Sequence, residues 1–525
     1  MHPFCVSYLR AWSPKLVRFL RYSTPSDLPV IRLPRRTLQF LESREKQQTG
    51  AVPVPRAGKL LISSRRRELN QFSRETCGLW ELPPLVSRGW KHRQSRGDHF
   101  TINRQREQRP WPETEGTFHS LPLDPRLVSA LDSQGITTPT WIQNQTIPPL
   151  LHGKNVLCAS ETGSGKTLAY IAPIIHRLLC QDDITSPDPR SLVLVPSREL
   201  GGQVASVAKR LCAQLGLSVR FVGGGHGRRA VERQLGGGPL DILVATPGAL
   251  LKALKWGKLG LSDLHYFVLD EADTLFDETF CELVEAILMH AQIASRASDL
   301  QGPDRKAQLA VIGATFPRGV AKVLSKVTDL GSIDTIKSKR LHFLMPHVQQ
   351  VFKKLKGLEK TTELLELLKI QVAEKPGKGV LVFCNSSGTV NWLGYILDDH
   401  GIKHARLHGQ MPADMRSGIF ESFQKGEWDV LVCTDIASRG LDSLRVDTVV
   451  NYDFPPALED YLHRAGRVGR VGSESSGMVV SFVTHAWDVE LVQKIETAAR
   501  KRSSLPGLES SLKAPVDSSD LIKEQ

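Results

Sequence analysis

The chain has 525 residues, a formal net charge of +13 at pH 7 and a hydrophobic fraction of 41%. That length predicts several structural units, and the basic charge suggests a polyanionic partner. No apolar run approaches the roughly 18–20 residues that a membrane-spanning helix needs, which excludes membrane insertion and predicts a soluble protein. The eight cysteines form no CxxC pair, so we expect small core residues in a reducing compartment and no zinc site.

The first 26 residues are basic and amphipathic. Arg10, Lys15, Arg18 and Arg21 precede the first acidic residue, Asp27, and apolar side chains recur between them at helical spacing. This pattern is typical of a mitochondrial presequence, or transit peptide, and it predicts a protein of the mitochondrial matrix. A disordered basic tail is the alternative.

Residues 27–117 continue basic and proline-rich. Residues 1–117 carry about 22 Lys and Arg against about 10 Asp and Glu, so nearly all the excess charge lies ahead of the body of the chain. Without sustained periodicity, residues 27–117 are predicted to be a largely disordered extension. The run Arg65-Arg66-Arg67 could bind RNA phosphates or act in nuclear import, which leaves an additional nuclear pool open. A solvated linker is the alternative.

Residues 118–335 form the first predicted domain, in which short apolar runs alternate with helical patterns. This alternation predicts a parallel sheet with helices on both faces. The first run leads into a glycine-rich loop whose backbone N–H groups could wrap phosphates, followed by a helix that begins with its positive dipole end at the anion. Its residues are Ser160, Glu161, Thr162, Gly163, Ser164, Gly165, Lys166 and Thr167. Lys166 would reach the β- and γ-phosphates, and Thr167 would ligate Mg²⁺.

The apolar run Tyr266–Leu269 is followed by three carboxylates within four residues, Asp270, Glu271 and Asp273. Asp270 would hold Mg²⁺ through its water shell, and Glu271 would polarise an attacking water. A strand followed by a solvated acidic turn is the alternative. The glycine-rich loop and these acidic residues each follow a strand of the same predicted sheet. Together they predict a site that binds ATP·Mg²⁺ and hydrolyses ATP.

The second half repeats the strand–helix rhythm without a second phosphate loop. Residues 336–357 are basic and irregular and predict a linker. Residues 358–500 predict a second domain that completes the nucleotide site of the first. Residues 501–525 predict a flexible tail.

An ordered set of motifs from about Phe118 to about Ser481 resembles the DEAD-box RNA helicases of superfamily 2. Besides the P-loop and Asp270-Glu271-Ala272-Asp273, it comprises a Q motif at 135–143, motif V at 434–442 and motif VI at 461–470. The resemblance implies an α/β fold of two tandem RecA-like domains. It places the Q motif, the ATP-binding loop and the DEAD sequence in residues 118–335, and the helicase C-terminal domain in residues 358–500.

The resemblance also implies residue roles. Gln143 would pair with the adenine edge, Asp442 would contact the ATP ribose, and Arg467 and Arg470 would stabilise the charge developing at the γ-phosphate. Further motif residues would hold RNA through phosphate and ribose: Pro196, Arg198, Gly224, Thr246, Arg416 and Thr434.

Four positions depart from the family pattern. Ser160 stands where the phosphate-loop motif usually begins with glycine or alanine, Gly313 where the family usually has serine, Ala249 where it usually has arginine, and Ile136 where many relatives have an aromatic side chain. The family's serine links the acidic motif to RNA-dependent closure. Gly313 therefore predicts weaker coupling between hydrolysis and unwinding.

The resulting hypothesis is an ATP-dependent RNA helicase that acts as a monomer and unwinds short duplexes or remodels RNA–protein particles. It would contact the sugar and phosphate groups of RNA, so its binding would not be sequence-specific. With the presequence, this implies mitochondrial RNA metabolism or mitochondrial ribosome assembly, with ribosomal RNA and assembly particles as partners. An ATP-gated RNA clamp or assembly scaffold with little strand displacement is the alternative.

Overall fold

The computed structural model describes residues 59–75, 77–78, 81–105, 116–181, 187–224, 227–300, 305–316, 319–435, 445–470 and 477–508. All of them belong to one unit, Gly58–Gln525. The predicted presequence and Asp442 lie outside the described residues. Within these ranges, no helix is both long and apolar enough to cross a bilayer.

Three short strands precede the first predicted domain: β1 (Leu60–Ser64), β2 (Gln71–Phe72) and β3 (His99–Ile102). β1 pairs antiparallel with both β2 and β3. The prediction of a largely disordered extension over 27–117 therefore has to be corrected for residues 59–105. These strands are two to five residues long and separated by turns, so they leave no sustained periodicity in the sequence.

The first lobe contains seven parallel strands in the order β10-β4-β9-β8-β5-β7-β6. The strands are β4 (Asn155–Ala159), β5 (Ser191–Leu194), β6 (Val219–Val222), β7 (Ile242–Ala245), β8 (Tyr266–Leu269), β9 (Gln308–Gly313) and β10 (Ile333–Lys337). The helices are α1 (Pro125–Ser133), α2 (Trp141–Leu151), α3 (Lys166–Leu179), α4 (Arg198–Cys212), α5 (Arg228–Leu235), α6 (Pro247–Lys255), α7 (Ala272–Leu275), α8 (Cys281–His290) and α9 (Gly319–Leu324).

Helices cover both faces of this sheet. Phe267 and Val268, neighbours on β8, belong to separate apolar clusters on opposite faces because successive strand side chains alternate. Every residue of β4, β8 and β9 is buried. Continuous apolar runs are what a parallel sheet buried on both faces requires.

The second lobe has six parallel strands, to which β3, β1 and β2 are added at one edge. The parallel strands are β11 (Gln349–Lys354), β12 (Gly379–Phe383), β13 (His404–Leu407), β14 (Val430–Cys433), β15 (Val446–Asn451) and β16 (Met478–Val483). The helices are α10 (Glu359–Glu374), α11 (Ser387–Asp399), α12 (Ala413–Lys425), α13 (Leu458–Ala465) and α14 (Asp488–Lys501). β3 pairs antiparallel with β11, so residues 59–105 belong to this lobe.

A buried carboxylate fastens this N-terminal segment to α14. Glu496 accepts hydrogen bonds from the backbone N–H of Val86 (2.8 Å) and of Ser87 (3.0 Å), and from the Ser87 hydroxyl (2.7 Å). It also pairs with Arg500 at 2.8 Å. Because all of these groups are buried, each needs its partner.

The connection between the lobes is shorter than predicted. β10 ends at Lys337 and β11 begins at Gln349, so residues 338–348 join the two sheets rather than 336–357. Leu341 is buried in the core of the first lobe, whereas Leu344 packs against the core of the second. The chain therefore changes lobes within a few residues.

Candidate nucleotide and RNA site

The glycine-rich loop lies at the carboxyl end of β4. Gly163 and Gly165 have φ values of +79° and +90°, where a side chain would be strained. Lys166 opens α3, and its Nζ donates to the carbonyl oxygens of Ser160 (2.6 Å) and Glu161 (3.0 Å). The ammonium group is therefore held over the loop, where it can meet a phosphate.

The second lobe packs directly on this loop. A Cβ added at Gly163 would lie 2.8 Å from Cγ of Arg470, and one added at Gly466 would overlap the Thr162 side chain. Arg467 and Arg470, which follow α13, are both buried. Glycine on both sides lets the two backbones approach closely at this point.

The acidic residues follow β8. Asp270 is 4% exposed, accepts a hydrogen bond from the Tyr170 hydroxyl (2.7 Å), and burial raises the pKa of its carboxyl to about 6. Glu271 has a φ of +50°. Its Oε1 lies 4.0 Å from Nη2 of Arg467, and its buried Oε2 has no hydrogen-bond partner among the described residues.

Asp273 connects three elements. Its Oδ2 accepts from the backbone N–H of Ala314 and of Thr315, both at 3.2 Å, and lies 3.2 Å from Nε2 of His463 on α13. Burial by itself raises the pKa of Asp273, but His463 and the Ala314 N–H outweigh it and bring the pKa well below its usual range. This carboxylate therefore joins the end of β9 to the second lobe.

Gln143 is held against the loop. Its amide oxygen accepts from the Thr140 N–H (2.8 Å), and its Nε2 donates to the Gly165 carbonyl (3.0 Å). The first contact is half of a capping box at the start of α2. The amide of Gln143, which is predicted to contact adenine, therefore already lies beside the phosphate loop.

The order of the first sheet separates two groups of predicted residues. The loop after β4 and the acids after β8 lie on either side of β9. The residues predicted to hold RNA follow β5, β6 and β7, which lie beyond β8: Pro196, Arg198, Gly224 and Thr246. In the second lobe, Arg416 lies 3.9 Å from Glu199 of α4, and Thr434 follows β14. Because the strands of the first sheet are parallel, its carboxyl-end edge presents both groups.

Comparison with known proteins decides the family. Two family models match the chain: DEAD/DEAH box helicase over residues 140–323, and Helicase conserved C-terminal domain over residues 359–472. The mouse (Mus musculus) protein called Probable ATP-dependent RNA helicase DDX28 is 56% identical over 506 residues, 93% of this chain and 94% of that protein. The human (Homo sapiens) protein of the same name is 55% identical over 516 residues, 95% of each. The chain belongs to the DEAD-box RNA helicases. The predicted enzyme class, an ATP-dependent RNA helicase, is confirmed.

Solved structures of DEAD-box helicases share the fold. Yeast (S. cerevisiae) Dbp5 bound to RNA and ADP BeF3 has a TM-score of 0.62 at 24% identity, covering 73% of this chain and 94% of that one. Mss116p bound to single-stranded RNA and AMP-PNP has a TM-score of 0.64 at 23% identity, covering 75% and 79%. The predicted pair of RecA-like domains is confirmed.

The site of this DEAD-box helicase includes two residues to which the sequence reasoning assigned no role. His463 contacts Asp273 across the cleft. Arg464 is 1% exposed and pairs with Asp435 at 2.6 Å, while it also donates to Oδ1 of Asn385 (2.7 Å) and to the Asp453 carbonyl (2.8 Å). Both stand in motif VI beside the arginines predicted as catalytic.

Proposed function

We propose that this DEAD-box helicase hydrolyses ATP in the cleft between its lobes and couples that reaction to local unwinding of RNA. The observation that carries the proposal is the approach of Arg467 in the second lobe to Glu271 in the first, 4.0 Å apart and both largely buried. A site built from both lobes is complete only when they meet. Lobe closure on RNA can then control hydrolysis.

The first lobe would bind the nucleotide. Backbone N–H groups of the loop from Ser160 to Thr167 would surround the phosphates at the start of α3, and Lys166 would leave its carbonyl partners for the β- and γ-phosphates. Gln143 would recognise adenine, and Asp442 of the second lobe would contact the ribose.

The residues present fit Mg²⁺. Asp270 is a buried carboxylate whose raised pKa reflects burial, and a nearby dication would favour its charged form. Oxygen donors such as this carboxylate and the Thr167 hydroxyl are the ligands that Mg²⁺ prefers. The ion would neutralise phosphate charge when bound.

Glu271 and the arginines would carry the chemical step. The free Oε2 of Glu271 can accept a hydrogen bond from a water and orient it for in-line attack on the γ-phosphorus. Arg467 and Arg470, both buried, would stabilise charge on the transferred group as fixed cations. Loss of the γ-phosphate would remove their shared anionic partner and allow the lobes to separate.

RNA would lie along the same edge as the nucleotide, beside the acidic residues. Residues after β5, β6 and β7 in the first lobe and Arg416 and Thr434 in the second are proposed to contact phosphates and riboses, which supports binding without sequence specificity. The same helicase would act as a monomer.

We further propose that the helicase works in the mitochondrial matrix, in RNA metabolism or ribosome assembly. The support is the basic, acid-free, amphipathic stretch of residues 1–26. Removing these residues should leave a fluorescently tagged protein outside mitochondria in cells, whereas the full chain should enter. Import of the shortened chain would refute the presequence.

The second candidate function is an ATP-gated RNA clamp. It is favoured by Gly313, because the family's serine hydroxyl is missing there, and by Ala249, which replaces an expected cationic contact. In a clamp, ATP would support RNA binding with little strand displacement.

Strand displacement separates the two functions. A short RNA duplex with one labelled strand is incubated with the full chain, ATP and Mg²⁺, and both strand release and RNA retention are followed. Release that requires ATP supports the helicase. ATP-dependent retention of RNA without release would establish the clamp instead.

A further inference from the structure

His342 occupies the point at which the chain passes from one lobe to the other. Leu341 before it is buried in the first core, and Leu344 packs against the second. His342 is itself 7% exposed and has a φ of +65°. Residues other than glycine rarely adopt that conformation, so contacts around His342 must hold it.

Those contacts come from both lobes. Nε2 of His342 lies 3.0 Å from the Ala314 carbonyl oxygen of the first lobe, and its own carbonyl accepts from the Leu505 N–H of the second lobe at 2.9 Å. A carbonyl only accepts, so Nε2 is the donor and carries the ring proton. Burial lowers the pKa of His342, which favours this neutral ring.

Ala314 belongs to the segment that holds the DEAD carboxylate. The N–H of Ala314 and the hydroxyl of Thr315 donate to Asp273, at 3.2 and 3.3 Å. A continuous set of hydrogen bonds therefore runs from Asp273 through Ala314 and His342 to Leu505. It joins the acidic motif of the first lobe to the chain that follows α14 in the second.

This path lies beside the position where the family's serine is missing. A Cβ at Gly313 would stand 3.1 Å from the Thr315 carbonyl oxygen and 3.3 Å from the Phe316 ring. A serine there would require its neighbours to shift. The segment has instead a hydrogen-bond partner in the imidazole of His342.

We propose that His342 is a positioning residue that couples lobe closure to the Asp273 segment, in place of the absent serine at Gly313. When the second lobe moves on RNA, the Leu505 contact displaces the His342 backbone, and the Ala314 contact carries that displacement to Asp273. The proposal rests on the RNA-stimulated ATP hydrolysis described above. It assigns His342 no contact with ATP or RNA.

Substitutions can separate the hydrogen bond from the bulk of the side chain. In His342→Gln the amide Nε2 can take the place of the imidazole Nε2 and donate to Ala314. In His342→Asn the shorter amide stops near the position of Nδ1, although asparagine tolerates a positive φ better than most residues. His342→Met has a length similar to glutamine and no donor.

The readout is RNA stimulation, defined as ATP turnover with saturating single-stranded RNA divided by turnover without RNA, measured with the full chain. Losing one hydrogen bond should lower the stimulation about fivefold in His342→Asn and His342→Met, and His342→Gln should stay within about twofold of the wild type. His400→Asn, at an exposed helix end, is the matched control and should behave as wild type. If the asparagine variant does not fold, the comparison of methionine with glutamine decides.

Unchanged stimulation in His342→Asn and His342→Met would overturn the proposal. So would an equal loss in His342→Gln, because that would show a general packing effect. If RNA did not change the ATP turnover of the wild-type protein, the proposed function itself would be contradicted. Failure of the His342 proposal can therefore be distinguished from failure of the proposed function.

Discussion

Glu271 combines two features that are costly in a folded protein. Its backbone lies at φ +50°, and one of its carboxylate oxygens is buried with no partner among the described residues. Strain and an unsatisfied acceptor at the same residue are expected where a substrate group completes the site. A water beside the γ-phosphate is the group that this oxygen suits.

Glu271→Gln therefore keeps the shape of the side chain and removes its charge. We expect hydrolysis to fall by about 10²–10⁴-fold, because the amide cannot accept a proton from the attacking water. ATP and RNA binding should remain. Steady-state turnover, alongside fluorescence binding of a labelled nucleotide and a labelled RNA, measures both; near-normal turnover would remove Glu271 from the mechanism.

Asp270 predicts a dependence on pH. Burial raises the pKa of its carboxyl to about 6, so the charged form that can hold Mg²⁺ is lost as the pH falls through that value. The hydrogen bond from Tyr170 favours the charged form and opposes the effect of burial.

Tyr170→Phe removes that hydrogen bond and should raise the pKa of Asp270 further. The acid limb of kcat/KM for ATP is then expected to move to higher pH, by up to about one unit. Profiles of the two proteins over the same pH range provide the measurement. Superimposable acid limbs would mean that Asp270 does not set this limb.

Individual residues were predictable to different degrees. Lys166, Asp270 and Glu271 stand in short motifs whose chemistry depends on neighbours in the sequence, and the structure brings them together with Arg467 and Arg470. The contacts of Arg464 and of His342 join residues that are distant in the chain. No local pattern reveals such partners, because only folding creates the pairs.

Among the elements, the parallel strands were the most predictable. The apolar runs at 266–269 and 379–384 correspond to β8 and β12, since a strand buried on both faces must be apolar throughout. The strands of residues 59–105 were not predicted because they are short and pair antiparallel at one edge of the second sheet. Their stability depends on β11 and α14, which lie more than 200 residues later.

The attachment of that segment gives a prediction for stability. Glu496→Gln removes the charge that pairs with Arg500, and it leaves a buried guanidinium without its carboxylate. We expect the free energy of unfolding to fall by about 3 kcal/mol or more, seen as a lower Tm.

Glu490→Gln on the same helix is the matched control. Glu490 also contacts the N-terminal segment, through Lys91 at 2.8 Å, but both side chains are exposed. The median worth of such a pair is about 0–1 kcal/mol, so its Tm should barely change. Equal Tm values for the two variants would mean that Glu496 does not fasten the segment.

At the scale of the whole molecule, the two lobes meet where charge of opposite sign faces across the cleft. Among the residues that the structure describes, Arg467 with Glu271 and Arg416 with Glu199 form ion pairs between the lobes, and His463 contacts Asp273. Two tandem domains were predictable because the strand–helix alternation restarts after residue 357, and the absence of a second phosphate loop indicated that the second domain completes the site of the first. The close approach of the second lobe to the first could not be predicted from the sequence, because it depends on how the two domains pack.

The central claim is that the second lobe completes the catalytic site, and Arg467→Ala tests it most directly. ATP turnover with saturating single-stranded RNA is measured for this variant, for the wild type and for Lys425→Ala, an exposed control on α12. Loss of a cation at the transferred phosphate should lower turnover by about 10³-fold or more, with nucleotide binding retained and the control unaffected. Turnover of Arg467→Ala close to that of the wild type would contradict a site shared between the lobes.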